Sequence, residues 1–355
     1  MNIIIAGYAL RGFGGMEMVC KRLVHIMSTY NPSIHIKFVF FKEEKNVDHS
    51  WHSGLNVHIM HSSIHNTKAR RLHFSLLLTR YLLENKPDLI ITLDTISCFI
   101  TYYAKKLVFG SYPIVSWLHF SVYDLYKYTY VLKCDAHLVI SDGIKRQLNE
   151  LGVDKKHIHT IFNPVEKTNK MISVSAGVSN FVFIGRVIFK GQKNLKELFD
   201  SLLDLHGEWF LHIVGQGDDL DTCKKYTNNI GLSNRIKWHG WKLKPWDFIE
   251  NNIGHIKALV MTSTYEGLPM TILEAMSYGI FCVSSDCPTG PSDIINDTNG
   301  RLYKTGDVQQ LTSILQDLID DKIGINQLDI KKSINKFYDE NYYYNLTNAL
   351  NCIIR

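Results

Sequence analysis

Two glutamates, Glu266 and Glu274, stand on either side of Gly267-Leu268-Pro269-Met270-Thr271-Ile272-Leu273. Ala258-Leu259-Val260-Met261 ahead of them has the pattern of a buried strand. Pro269 suits the first turn of a helix, Gly279 suits the residue past its end, and Phe281-Cys282-Val283 reads as another strand. Strand, loop, helix and strand in this order make a βαβ unit, whose helix start offers unpaired N–H groups and a positive dipole end to a phosphate. A phosphate is therefore expected near Leu268, Pro269, Met270 and Thr271. Glu274, about two turns along the helix, can accept hydrogen bonds from the paired hydroxyls of a ribose. Glu266, in the loop, reaches the sugar beyond the phosphates. Each also has a plainer reading, Glu266 as a charge complement to the helix start and Glu274 as a solvated surface acid.

A departing nucleoside diphosphate accumulates negative charge, and an arginine with a lysine can stabilise it without a metal. Gly185-Arg186 follows the strand Phe181–Ile184, and Lys190-Gly191-Gln192-Lys193-Asn194-Leu195 follows closely. Lys193 is the favoured second cation because it leads straight into the helical pattern Leu195, Leu198, Phe199, Leu202; Lys190 is the alternative. There is no His/Cys/Asp cluster with ligand spacing, so no metal and no cofactor are expected. Gly14-Gly15-Met16-Glu17 opens a helix, with glycines that let the backbone approach a diphosphate. Gly12-Phe13-Gly14-Gly15 lacks the last glycine of G-x-G-x-x-G, which argues against a dehydrogenase. His119 and Asp94 each follow a strand, at ends where ligands gather in open α/β sheets; a structural histidine and a turn-capping aspartate are the plainer readings. Gly215-Gln216-Gly217 follows a further strand, and Trp241 stands in the loop after Trp238-His239-Gly240, as a stacking surface for a base or as a buried ring.

The string Thr262-Ser263-Thr264-Tyr265-Glu266-Gly267-Leu268-Pro269-Met270-Thr271-Ile272-Leu273-Glu274-Ala275-Met276 resembles the E-x7-E signature of the family 4 retaining glycosyltransferases. The resemblance covers nearly the whole chain and is strongest from Phe181 to Gly300. It implies the GT-B architecture, α/β with two facing Rossmann-like doubly wound domains and a cleft between them. It assigns Arg186 and Lys193 to the diphosphate, Glu274 to the ribose, Trp241 to the base, and Glu266 and His119 to the transferred sugar. Gly14, Gly15 and Gly215 approach the donor, and Glu17 and Asp94 are assigned to the acceptor side. Gly12-Phe13-Gly14-Gly15-Met16-Glu17, Ile161-Phe162-Asn163-Pro164-Val165, Trp238-His239-Gly240-Trp241 and Ser284-Ser285-Asp286-Cys287 together resemble the lipopolysaccharide core galactosyltransferases of enteric bacteria. That implies UDP-galactose as donor and a hexose of the lipopolysaccharide outer core as acceptor. A glucosyl or N-acetylhexosaminyl transferase, a UDP-sugar epimerase and a non-catalytic sugar-binding module are the other readings.

The elements that must hold these residues are legible as an alternation. Strands are expected at Asn2–Ala6, Ile36–Phe41, Leu89–Leu93, Ile114–Leu118 and Leu138–Ile140, then at Phe181–Ile184, Phe210–Val214, Ile236–His239, Leu259–Thr262 and Phe281–Ser284, with helical patterns between several of them. The 355 residues, 45% apolar, divide into an N-terminal acceptor domain over 1–170, a nucleotide-sugar domain over 171–333 and a helix over 334–355 that crosses back to the first. The seven cysteines lack the spacing of a disulfide framework. No apolar run reaches the roughly 20 residues of a membrane span and the N-terminus has no signal-peptide pattern, so a cytoplasmic location is expected. Residues 1–165 hold 19 Lys and Arg against 12 Asp and Glu, while the remainder holds 20 against 22. The basic half, with Lys68, Arg70 and Arg71 beside an apolar helical stretch to Leu83, is expected to meet an anionic inner-membrane surface from the cytoplasmic face, or else is a core helix with a basic end. Nucleic acid is not expected as a partner.

Overall fold

The computed structural model describes residues 1–10, 15–43 and 50–354. The chain divides into one unit of Met1–Pro164 with Asp339–Arg355, and a second of Val165–Tyr338.

Unit 1 carries β1 (Asn2–Tyr8), α1 (Gly15–Tyr30), β2 (His35–Lys42), β3 (Val57–His61), α2 (Thr67–Glu84), β4 (Leu89–Thr92), α3 (Thr95–Leu107), β5 (Ile114–Leu118), β6 (Ala136–Val139), α4 (Asp142–Glu150) and β7 (Ile158–Thr160). The strands pair in parallel in the order β3-β2-β1-β4-β5-β6-β7. Parallel strands covered by helices on both faces read as continuous apolar runs, and β4 and β5 are buried at every position. One core layer joins Ile4, Val39 and Ile90 of the sheet to Phe74, Leu78 and Leu82 of α2 and to Ile96 and Ile100 of α3. Phe74, Leu78 and Leu82 repeat at i, i+4 and i+8, which puts them on one helical stripe. Each fully buried side chain of this kind contributes about 2 kcal/mol relative to exposure. The strand order reverses between β1 and β4, the place where open α/β sheets form a crevice at their carboxyl ends.

Unit 2 repeats the plan with β8 (Ser179–Ile184), α5 (Leu195–Ser201), β9 (Trp209–Val214), α6 (Leu220–Asn229), β10 (Ile236–Trp238), α7 (Pro245–Asn252), β11 (Ala258–Met261), α8 (Met270–Ser277), β12 (Cys282–Ser285), α9 (Pro291–Ile294), β13 (Gly300–Tyr303), α10 (Val308–Ile319) and α11 (Gln327–Ser333). Its sheet is parallel, in the order β10-β9-β8-β11-β12-β13, and reverses between β8 and β11. Two parallel, doubly wound sheets are the α/β class that the alternating pattern predicts. The chain enters and leaves unit 2 side by side, with the Val165 N–H donating to the Phe337 carbonyl over 2.9 Å.

The last helix, α12 (Asp339–Ile354), belongs to unit 1. It packs on α1, where Tyr343 stacks on Tyr30 with ring centroids 5.0 Å apart and Arg22 Nε donates to Asp339 Oδ1 over 2.9 Å. The ten strands expected from sequence are present with small shifts at their ends, whereas β3, β7 and β13 were not among them. Among the described residues, no helix is long and apolar enough to cross a membrane.

Candidate active site

In unit 2 the site grows from the carboxyl ends of β8 and β11. The Lys193 ammonium and the Glu266 carboxylate meet at 2.6 Å, and both side chains are mostly buried, at 15% and 10% exposure. The loops that carry them are stitched together. Thr262 Oγ1 donates to the carbonyls of Lys193 and Asn194 over 2.9 and 3.2 Å, and the Thr264 N–H donates to the Gln192 carbonyl over 2.8 Å. Arg186 is exposed and reaches across to Gln192 Oε1 over 2.6 Å. Lys190 is exposed. Of the two competing lysines, Lys193 is the one that the fold brings to Glu266.

The Gly215 turn has a steric reason. A Cβ at Gly215 would lie 1.8 Å from the Gly185 carbonyl oxygen, and one at Gly217 would lie 2.2 Å from the Val187 carbonyl oxygen. Contacts this short exclude any side chain, so the G-x-G turn is what lets the Gly185-Arg186 loop lie against the end of β9. On the other side Gly290, at φ +93°, presses on the Gly267 carbonyl, and Thr289 Oγ1 donates to the Glu266 carbonyl. The backbone from Glu266 to Pro269 is thus fixed from both flanks.

The helix expected after Glu266 is α8, with two corrections. Pro269, at φ −72°, is its N-cap and not its first turn, and Glu274 stands just over one turn inside, not two. Nor is Glu274 a solvated acid. Burial pushes its pKa up, partly offset by a hydrogen bond from Trp246. The Trp246 indole Nε1 donates to Glu274 Oε2 over 2.9 Å, and the indole is itself buried and stacked on Tyr278, with centroids 5.4 Å apart. Sequence reasoning missed Trp246, which stands 28 positions from its partner and belongs to no local motif. Leu268 and Pro269 are buried while Met270 and Thr271 are partly exposed at the helix start. Trp241 is 59% exposed, which removes the buried reading of that ring. The neighbouring Trp238 packs edge-on to Phe199.

In unit 1 the crevice between the ends of β1, β4 and β5 is a cavity of about 400 Å³. His119, at its wall, is buried, and burial pushes its pKa down to about 3. The ring is therefore neutral at physiological pH, and its Nε2 is buried without a hydrogen-bond partner. Asp94 also lines the cavity, but its carboxylate serves the fold. Oδ2 accepts from the Tyr8 N–H over 2.9 Å and from Ser97 Oγ over 2.6 Å, and Oδ1 accepts from the Ser97 N–H over 2.8 Å, capping α3. The turn-capping reading of Asp94 thus describes its bonding, whatever it also meets in the cavity. Glu17 is buried in the first turn of α1, which Gly15 opens. Gly14 lies outside the described residues.

The basic segment of α2 is more engaged than its sequence suggests. Arg70 grips Glu43 with both Nε and Nη2, over 2.9 and 2.8 Å, and the Arg71 guanidinium lies over the Tyr126 ring at 5.6 Å. Only Lys68 of the three basic residues remains a simple exposed cation.

Residues 165–337 match the model described as "Glycosyl transferases group 1", and residues 13–168 match "Glycosyltransferase Family 4". The chain is 38% identical to the lipopolysaccharide 1,6-galactosyltransferase of Escherichia coli strain K12, over 97% of this chain and 96% of that protein. The chain belongs to the family 4 glycosyltransferases. Its identity to the lipopolysaccharide 1,6-galactosyltransferase of Salmonella typhimurium strain LT2 is 36%, over 99% and 98% of the two chains. The solved apo form of the lipopolysaccharide outer core galactosyltransferase WaaB superposes with a TM-score of 0.94 at 36% identity, covering 99% of each chain. Anabaena HepE in complex with UDP superposes at 0.79 with 17% identity, a likeness of fold alone. This family 4 enzyme is a glycosyltransferase of GT-B fold class. Within unit 2, Lys193 pairs with Glu266 ahead of α8, Glu274 lies inside that helix, and Arg186 bonds Gln192 in the loop that carries Lys193.

Proposed function

We propose that this glycosyltransferase moves galactose from UDP-galactose, with retention of the α configuration, onto a hexose of the lipopolysaccharide outer core. The observation that carries this reading is identity of 38% and 36%, end to end, with two lipopolysaccharide 1,6-galactosyltransferases. The geometry of unit 2 supports a matching division of labour. Arg186 and Lys193 supply fixed positive charge to the departing diphosphate, the N–H groups at the start of α8 receive a phosphate, and Glu274 accepts from the ribose hydroxyls. Glu266, held against Lys193, faces the sugar. The freed diphosphate helps receive the acceptor proton in a same-face attack, with no covalent glycosyl-enzyme step. No metal takes part, because the two cations do the electrostatic work. Trp241 offers its exposed face to the uracil. In unit 1, neutral His119 offers a ring nitrogen to a sugar hydroxyl.

The reaction runs in the cytoplasm on an acceptor anchored in the inner membrane, and the protein associates with that anionic surface peripherally. Support comes from the end of α3. Phe109 is 94% exposed, Leu107 is 50% exposed, and Lys106 and Lys133 lie beside them, each 4.7 Å from the Tyr102 ring centre. Apolar side chains among lysines are the composition of an interfacial contact. The deciding assay incubates purified protein with UDP-galactose, UDP-glucose, UDP-N-acetylglucosamine or GDP-mannose and truncated lipopolysaccharide, with mass analysis and NMR of the new anomeric centre. One hexose added from UDP-galactose in α linkage, with EDTA present, is the expected result. A hexosamine product, a β linkage or isomerised free UDP-sugar would replace this reading.

A further inference from the structure

The start of α5 holds Lys193 in an unusual way. Asn194 occupies the N-cap position of α5, where the backbone is ordinarily extended and the side-chain oxygen accepts from an N–H two or three residues on. Here the backbone is left-handed, at φ +45° and ψ +49°, and the side chain makes no such cap. The amide Nδ2 instead donates to Glu197 Oε2 over 2.6 Å. A left-handed backbone is uncommon for a residue with a Cβ, and asparagine is among the few that tolerate it. The turn directly follows Lys193, so it fixes how that residue is presented relative to α5.

Glu197 is an expensive residue for an ordinary helix start. It is 6% exposed, and both oxygens are engaged, Oε2 by Asn194 and Oε1 by the Tyr303 hydroxyl over 2.8 Å and the Gly306 N–H over 3.1 Å. Burial and that carboxylate push the Tyr303 pKa up, so the phenol stays a donor. Three neutral donors converge on two acceptor oxygens. A carboxylate satisfies this set, whereas an amide would turn its own NH2 toward one of the donors. A buried charge is costly unless it is hydrogen-bonded, and the bonds of this one tie the end of β13 and the loop after it to the residue beside Lys193. Thr262 Oγ1 holds the same turn from the β11 side through the carbonyls of Lys193 and Asn194. We infer that Glu197 is a positioning residue for the donor diphosphate: through Asn194 it holds the left-handed turn that presents the Lys193 ammonium to the phosphates. This rests on the transferase reading above, which makes a UDP-sugar the ligand of Lys193, and adds to it a residue that acts through another.

The test measures UDP and uridine affinity by ligand-observed NMR titration, which also reads weak binding. Glu197→Gln is expected to weaken UDP about tenfold, while uridine, which has no phosphate for Lys193 to meet, stays within about twofold of the parent. Asn194→Gly leaves the left-handed turn accessible but drops the amide, and should weaken UDP about threefold with uridine again unmoved; it carries the test if Glu197→Gln does not fold. In a Lys193→Ala background, adding either change should alter UDP affinity by less than about twofold, because the lysine through which Glu197 acts is gone. Equal losses for UDP and uridine, or the same loss with and without Lys193, overturn the inference, since Glu197 would then support the domain as a whole. UDP affinity unmoved in the single variants overturns it as well. A parent protein that binds no UDP overturns the transferase reading instead, and that measurement precedes any variant.

Discussion

Lys193 and Glu266 form an ion pair at the place proposed for the diphosphate, and on that proposal the pairing opposes donor binding. The Lys193 ammonium is held at 2.6 Å by the Glu266 carboxylate. Glu266→Gln removes the competitor while keeping the shape. We expect UDP to bind about fivefold more tightly, equivalent to about 1 kcal/mol, with turnover down by about 10²–10³ because a contact to the sugar is lost. Calorimetry and steady-state rates on the same variant check both halves; weaker UDP binding would mean that Glu266 aids the phosphates. Glu274 behaves differently. Its pKa is raised by burial, so the folded protein binds that proton more tightly than the unfolded chain, and stability falls as pH rises from the ordinary carboxylate value through the raised one. Glu274→Gln should therefore raise the melting temperature of the ligand-free protein increasingly between pH 4 and pH 7, while weakening UDP binding. A variant that melts at the parent temperature across this range would place the ionised carboxylate in a site that stabilises it. Trp246→Phe removes the indole donor to Glu274 and should weaken UDP binding in the same direction. Here the sequence was readable in part. Residues joined by a short motif announced themselves, whereas Trp246 meets Glu274 from 28 positions away, where no spacing rule applies.

At the scale of elements, legibility follows burial. Central strands such as β4 and β5, buried on both faces, are unbroken apolar runs that composition reveals. β3 has only one buried residue in five, β7 has three residues, and β13 is half open, so each leaves little hydrophobic signal. The helix of the E-x7-E string was expected in the right place, but the stopping power of Pro269 was misjudged by one position. Loop glycines carry information of another kind. Gly215 is required by the 1.8 Å approach of the Gly185 carbonyl to where its Cβ would be. Gly215→Ala must push the Gly185-Arg186 loop away from β9, so a loss of at least about 3 kcal/mol of stability is expected, with a matching loss of UDP binding by the molecules that still fold. Denaturant unfolding checks the first and calorimetry the second. Gly306→Ala, with φ +87° but nothing within 4 Å of its Cβ, serves as the control that carries backbone strain without collision.

At the scale of the whole molecule, a net charge of +5 with its excess in the first half suits an anionic surface, and the fold offers two candidate contacts, α2 and the end of α3. Lys68, Arg70 and Arg71 drew attention because they adjoin an apolar helix. Folding buries Phe74, Leu78 and Leu82 of α2, leaves Leu72, Leu76 and Leu83 exposed, and commits Arg70 to Glu43 and Arg71 to Tyr126. The end of α3 keeps what a membrane surface would use, with Phe109 projecting and Lys106 and Lys133 alongside. Burying one phenylalanine is worth about 2 kcal/mol, and each lysine near an anionic leaflet about 1 kcal/mol, so the three together matter at moderate salt. Phe109→Ser with Lys106→Gln and Lys133→Gln should therefore abolish most sedimentation with vesicles containing anionic phospholipid. The same variant should keep the parent KM for a soluble, delipidated core oligosaccharide. A triple change at Lys68, Arg70 and Arg71 should leave most vesicle binding in place. If the α2 variant loses the vesicles and the α3 variant keeps them, the membrane contact belongs to α2, and the exposed Phe109 requires another explanation.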